Sequence, residues 1–283
     1  MRVRLIQVPY DSGHRDARMG SGPGLLTRHG AERAISNLGH GVTAETVAAE
    51  SAFTTEVGTA LELNRGLAQR VRAAVDRGEF PLVLAGNCNS CLGTLAGLGG
   101  GKLGVVWFDA HGDFNTPETT VSGFFDGMAL ATATGRCWSA LAATIPGFVA
   151  IPENHVVLVA ARDFDAEEKR QLDQSAVALV AAEAVRTTGV EEALGGPLAM
   201  LRERVARVYL HIDLDVLDPS QARANQLAAP GGLTVEQVTH AVRLLQQQFE
   251  VAACAVTAYD PACDEDGRTL RAAMMVLEAV LSV

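Results

Sequence analysis

Asp109, His111 and Asp113 stand at alternate positions in W-F-D-A-H-G-D-F-N, directly after an apolar run. Extended backbone sends alternate side chains to one face, so this spacing aims two carboxylates and an imidazole at one point, a donor set suited to a divalent cation. A second stretch, H-I-D-L-D-V-L-D-P, interleaves His211, Asp213, Asp215 and Asp218 with apolar residues in the same way. Taken singly, the first cluster also reads as a strand end whose polar residues are solvated. Taken together, two acidic clusters at the ends of apolar strands are strongly unfavourable unless a cation lies between them. A metal site built from both is therefore expected. Cys88 and Cys91 add a C-x-x-C pair, which by itself reads as a buried small pair, a zinc half-site or a redox motif.

The elements that must carry these residues are legible as short Val/Leu/Ile runs at 3–8, 42–47, 82–85, 103–109, 156–160, 177–180, 208–214 and 251–257. Amphipathic stretches at 61–77, 191–205, 234–249 and 268–281 fall between them. Strands apolar on both faces and separated by helices predict an α/β fold with a parallel sheet covered on both sides. In such sheets ligands bind beyond the carboxyl ends of the strands, where both acidic clusters begin. No Pro/Ser-rich linker or charge run divides the 283 residues, so one domain spanning 1–283 is expected.

Composition narrows the function classes. A hydrophobic content of 48% supports a sizeable core, and a net charge of -10 argues against nucleic acid or an anionic membrane as partner. The sequence has neither the long apolar core of a signal peptide nor an apolar run of membrane-spanning length, so a cytoplasmic protein is expected. Cys88, Cys91, Cys137, Cys254 and Cys263 form an odd, irregularly spaced set, unlike a secreted disulfide framework.

The stretches D-A-H-G-D-F-N-T-P-E-T-T-V-S-G and D-L-D-V-L-D-P, in that order, resemble the two central motifs of the arginase or ureohydrolase family, hydrolases that split a C–N bond with a paired manganese centre. The similarity extends to V-P-Y-D-S-G and G-S-G-P-G-L-L near the start, A-R-D-F-D at 161–165 and P-G-G-L-T at 230–234, and it loosens after about residue 248. It implies a three-layer αβα architecture around a central, mostly parallel eight-stranded sheet. It further implies two divalent ions, Mn2+ foremost, held by Asp109, His111, Asp113, Asp213 and Asp215. Asp109 and Asp213 would bridge, with His111 and Asp215 on one ion and Asp113 on the other. For the sixth ligand the family usually has a histidine in G-G-D-H-S, whereas this chain reads A-G-N-C-N-S and places Cys88 there. A thiolate donor shifts preference toward Zn2+, Fe2+ or Co2+.

On the substrate side, the resemblance assigns Asn115, Thr120 and Ser122 to an α-carboxylate and Asp165 to an α-amino group. Neutral donors suit the first and a carboxylate suits the second. Asp113 would orient and deprotonate the attacking water. Asp126 stands where arginases carry a proton-shuttling histidine, so it becomes the candidate shuttle, with His211 and His14 as alternative donors. By alternation His211 faces the same way as Asp213. Ala258, in T-A-Y-D-P, replaces the glutamate that pairs with a guanidinium, and Asp126, Asp260 and Asp264 are the carboxylates able to take over. The expected function is a binuclear-metal C–N hydrolase acting on an α-amino acid with a guanidino or related planar end group. An Nω-hydroxyarginine amidinohydrolase is the alternative within the class, since in such a relative a cysteine replaces this same histidine. A non-catalytic homologue that binds metal and an amino acid is an alternative of a different class. A metal-dependent deacetylase shares the fold but not the N-T-P-x-T-T-x-S signature. The implied partners are a small amino-acid-like molecule and further copies of the chain, as a trimer or hexamer.

Overall fold

The computed structural model describes residues 1–53, 55–100 and 102–282. Eight strands make one sheet: β1 (Arg2–Val8), β2 (Gly41–Thr46), β3 (Phe80–Ala85), β4 (Leu103–Phe108), β5 (Val156–Val159), β6 (Ala178–Val180), β7 (Arg207–Asp213) and β8 (Glu250–Thr257). Their spatial order is β2-β1-β3-β8-β7-β4-β5-β6. Every ladder is parallel, so the sheet is wholly rather than mostly so. All eight expected runs are strands of this sheet. The two runs that lead into the acidic clusters end earlier than their apolar pattern suggests, at Phe108 and Asp213.

Alternation within the strands feeds two separate cores. In β7, Val208, Leu210 and Ile212 point to one face, where α4 (Val190–Arg202), α5 (Val235–Gln248) and α6 (Arg268–Leu281) pack. Tyr209 points to the other, against α1 (Glu56–Asp76) and α2 (Cys91–Leu98). Helix α3 (Ala166–Asp173) follows β5, and shorter helices fill the remaining connections. The pattern that makes these helices is direct: α5 buries Val238, Ala241, Val242 and Leu245, a stripe at i, i+3, i+4 and i+7. Its start is fixed by a reciprocal cap in which Thr234 Oγ1 accepts Gln237 N at 3.2 Å and Gln237 Oε1 accepts Thr234 N at 3.0 Å. Thr234→Ala is expected to cost about 1 kcal/mol. In a chain of this size that lowers the melting temperature by roughly 2 °C in a calorimetric scan, and an unchanged melting temperature would show the cap to be replaced by solvent.

Parallel strands bring their carboxyl ends to one edge, and β3, β8, β7 and β4 are neighbours there. The chain segments that leave them carry Cys88, Ala258, Asp215 and Asp109. Three non-glycine residues at this edge, Asp113 (φ 48°), Ala160 (φ 74°) and Ala258 (φ 62°), adopt left-handed backbone, the kind of strain that surrounding structure must hold in place. Gly86 is required just after β3, because a Cβ there would lie 2.2 Å from the Tyr10 carbonyl oxygen. No helix among the described residues is long and apolar enough to cross a membrane.

Candidate active site

A cleft of about 570 Å³ opens at this edge, and its walls include Cys88, His111, Asp113, Asp213 and Asp215. Two overlapping trios of donor atoms converge behind it: Cys88, Asp109 and Asp213, and Asp109, His111 and Asp215, each within 4.8 Å of one another. Asp109 belongs to both. Asp113 stands outside the trios, in the cleft wall, with Oδ2 buried and without a hydrogen-bond partner.

The side chains alone do not balance charge. Asp109, Asp113, Asp213 and Asp215 are all buried, with His111 as the one imidazole among them. Burial and then the Asp215 charge raise the pKa of Asp109; burial, Asp215 and Asp109 push Asp213 well up; burial, Asp109 and Asp126 do the same to Asp113. His111 also moves well above its ordinary value, because the Asp215 and Asp109 carboxylates outweigh the burial that opposes its charge. Asp215 alone falls below the carboxylate range, since His111 and its hydrogen bonds overcome burial. Burial and neighbouring carboxylates hold the Cys88 thiol well above its usual value, and its Sγ donates to Asp213 Oδ2 at 3.0 Å. A cluster that must take up protons to be buried is one that divalent cations satisfy, and a coordinated thiol gives up its proton outright. The orphaned Asp113 Oδ2 and the oxygen, nitrogen and sulfur donor set fit two such ions.

A surrounding shell fixes the donors. Trp107 Nε1 donates to Asp109 Oδ2 at 2.9 Å, and Asn225 Nδ2 to Asp215 Oδ2 at 3.1 Å. Thr257 Oγ1 lies 3.2 Å from Cys88 Sγ. These partners escape sequence reading: Trp107 and Thr257 look like strand core, and Asn225 like an ordinary loop residue. Glu168 was also missed. It lines the cleft, accepts Phe114 N at 2.9 Å and Asp165 N at 3.2 Å, and is pushed by burial to a pKa of about 7. The box it forms with Asp165 at the start of α3 was the available signal.

The expected substrate residues cluster at the open side. Asn115, Ser122 and Asp165 line the cleft, and Asn115 Nδ2 donates to Asp165 Oδ2 at 3.0 Å. Thr120 does not line it; its Oγ1 accepts Gly123 N at 2.9 Å and lies 3.5 Å from Ser122 Oγ, shaping the turn behind Ser122. Ala258 presents only a methyl group to the same cleft, and Asp260 lines it with one oxygen holding Ala262 N at 3.0 Å and the other free of partners among the described residues. Asp264 is occupied as a cap, accepting Thr269 N, Leu270 N and the Tyr259 hydroxyl.

Two proton-transfer expectations need correction. His211 is fully buried and away from the cleft, stacked on Trp107 with ring centroids 3.6 Å apart. Its Nδ1 pairs with the Tyr209 hydroxyl at 2.8 Å and its Nε2 with Thr257 Oγ1 at 3.3 Å, and burial drives its pKa down to about 3. It supports Thr257, which in turn meets Cys88 Sγ, and it does not itself line the cleft. Asp126 does line the cleft, and burial pushes its pKa up to about 7, but both of its oxygens are engaged by backbone and amide N–H groups. His14 is exposed and packs on Phe53.

Comparison with known proteins agrees with this geometry. The family model described as Arginase family matches residues 1–282. An arginase of Bacillus caldovelox is 36% identical over 219 residues, 76% of this chain and 73% of that one. An arginase of Bacillus subtilis is 28% identical over 291 residues, covering 99% and 97%. The crystal structure of an arginase from Bacillus cereus superposes with a TM-score of 0.91 at 27% identity, across 100% of this chain and 99% of the other.

Proposed function

This chain belongs to the arginase family, and on that premise we propose that it hydrolyses the planar end group of an α-amino acid, with guanidino compounds first among candidates. It is a metal-dependent hydrolase of non-peptide C–N bonds. The observation that carries the substrate reading is the set of functions that share one cleft: Asn115, Ser122 and Asp165, residues of both donor trios, and Asp260, one oxygen of which has no partner among the described residues. Cys88, Asp109, His111, Asp113, Asp213 and Asp215 would hold two divalent ions. Such a pair supplies water acidic enough to attack a planar carbon near neutral pH.

The chain's own groups do the rest. Asn115 and Ser122 offer neutral donors to a carboxylate, while Asp165 offers an anion to an ammonium. Asp113, in the cleft wall, is the group to orient the attacking water and take up its proton for return to the departing nitrogen. Asp260 receives the cationic end group in place of a residue at 258.

A free α-amino acid with a long side chain should therefore stabilise the metal-loaded protein, by about 2.7 kcal/mol at a hundredfold excess over Kd. Its decarboxylated amine should do far less, because Asn115 and Ser122 lose the carboxylate they would hold. Thermal shifts with arginine and agmatine check this, and equal shifts would remove the α-amino acid from the reading. Cys88 and Ala258 favour a second reading, Nω-hydroxyarginine. A hydroxylated guanidine is a weaker base and carries less charge for an anion at 258 to neutralise. The ratio of kcat/KM for the two compounds decides between them.

A further inference from the structure

We infer that Asp126 is a positioning residue that clamps the turn carrying Cys88, and that the cysteine and the aspartate form one device. The inference rests on the proposed role of Cys88 as a metal ligand. Asp126 is 5% exposed. Its Oδ2 accepts Cys88 N at 3.0 Å and Asn87 Nδ2 at 2.9 Å, and its Oδ1 accepts Asn89 N at 2.7 Å. The turn Cys88–Ser90 runs directly into α2, so the Cys88 and Asn89 N–H groups are ones that a helix start leaves without intrahelical partners, and an anion is favoured there. Asn87 extends the clamp, since its Oδ1 accepts Ser12 N at 2.8 Å and ties the turn to the N-terminal segment.

The physical need follows from the length of the cysteine side chain. Sγ is one bond beyond Cβ, so any backbone displacement at 88 passes almost undiminished to the donor atom. Sγ already lies 3.0 Å from Asp213 Oδ2 and 3.2 Å from Thr257 Oγ1, which leaves little room for error. A longer imidazole can correct its aim through its own torsions, whereas a thiol depends on the backbone. A carboxylate holding three N–H groups around Cys88 supplies that aim. The same engagement takes three of the four acceptor positions of Asp126, and a proton on Oδ2 displaces one of its two donors.

The test uses the full chain loaded with Co2+, in which a coordinated thiolate gives a near-ultraviolet sulfur-to-cobalt charge-transfer band. Wild type should show the band and Cys88→Ser should lack it. Asp126→Asn should weaken Co2+ binding about 10- to 100-fold, the range for losing a partner that orients a ligand, with a diminished band. Asn87→Ala, which removes one of the three donors and keeps the carboxylate, should fall between. Wild-type affinity and a full band in Asp126→Asn, with turnover lost, would identify a proton carrier and overturn the inference. If Asp126→Asn does not fold, an unchanged band and affinity in Asn87→Ala overturn it instead. Absence of the band in wild type would refute the ligand role of Cys88 itself, a result distinct from either variant outcome.

Discussion

Asp109→Asn is expected to abolish turnover and to remove the stabilisation that divalent cations give the folded chain. Asp109 is the residue common to both donor trios, so one substitution acts on both cation positions. The amide preserves volume but loses the charge. It also turns one acceptor into a donor, facing either Trp107 Nε1 or His111 N, which Asp109 now receives at 2.9 Å and 2.7 Å. Saturating metal at a hundredfold excess over each Kd should stabilise wild type by about 2.7 kcal/mol per bound ion, while the variant's melting temperature should hardly respond. The rate should fall by at least about a thousandfold, the upper scale for removing a group that stabilises developing charge. Asp165→Asn is the informative contrast: it should lose activity and keep the metal-induced shift, because Asp165 lies outside both trios. An Asp109→Asn protein with the wild-type metal response would take Asp109 out of the centre.

Asp260→Asn should reduce kcat/KM for a guanidino substrate by about 2 to 5 kcal/mol, the range for truncating one partner of a buried charge pair, or roughly thirtyfold to several thousandfold. Asp260 is buried, lines the cleft and has one oxygen without a partner among the described residues, whereas Ala258, two residues before it, carries no polar group. The asparagine keeps the hydrogen bond that caps Ala262 if its oxygen takes that place, so folding should be little affected. The loss should be smaller for a less basic end group such as a hydroxyguanidine. Ala258→Glu is not expected to restore the family's arrangement, since position 258 is 2% exposed and has left-handed backbone. Unchanged kcat/KM in Asp260→Asn would show that another group meets the far end of the substrate.

The sheet was legible because its strands are buried on both faces and announce themselves as apolar runs. Asp109, His111, Asp213 and Asp215 were legible as candidate donors because two acidic clusters alternating with apolar residues need a common partner, and the structure brings them together. Three features were not. The alternation in D-A-H-G-D presumes extended backbone, but β4 ends at Phe108 and Asp113 adopts a left-handed conformation, so Asp113 enters the wall by a route that spacing alone does not describe. For Asp126, a residue type in a shuttle's position suggested a shuttle, and only the three-dimensional approach of the Asn87–Asn89 backbone reveals that its oxygens are taken. His211 failed for the opposite reason: alternation placed it on the side of Asp213 correctly, yet Trp107 and Tyr209 close around it and leave it no access to the cleft.

The most direct test of the metal centre is the number of divalent ions that the folded chain retains after loading with manganese or cobalt and removal of the excess, read by elemental analysis against protein concentration. Two overlapping donor trios predict two ions per chain. Folded protein that retains none would contradict the account at its base.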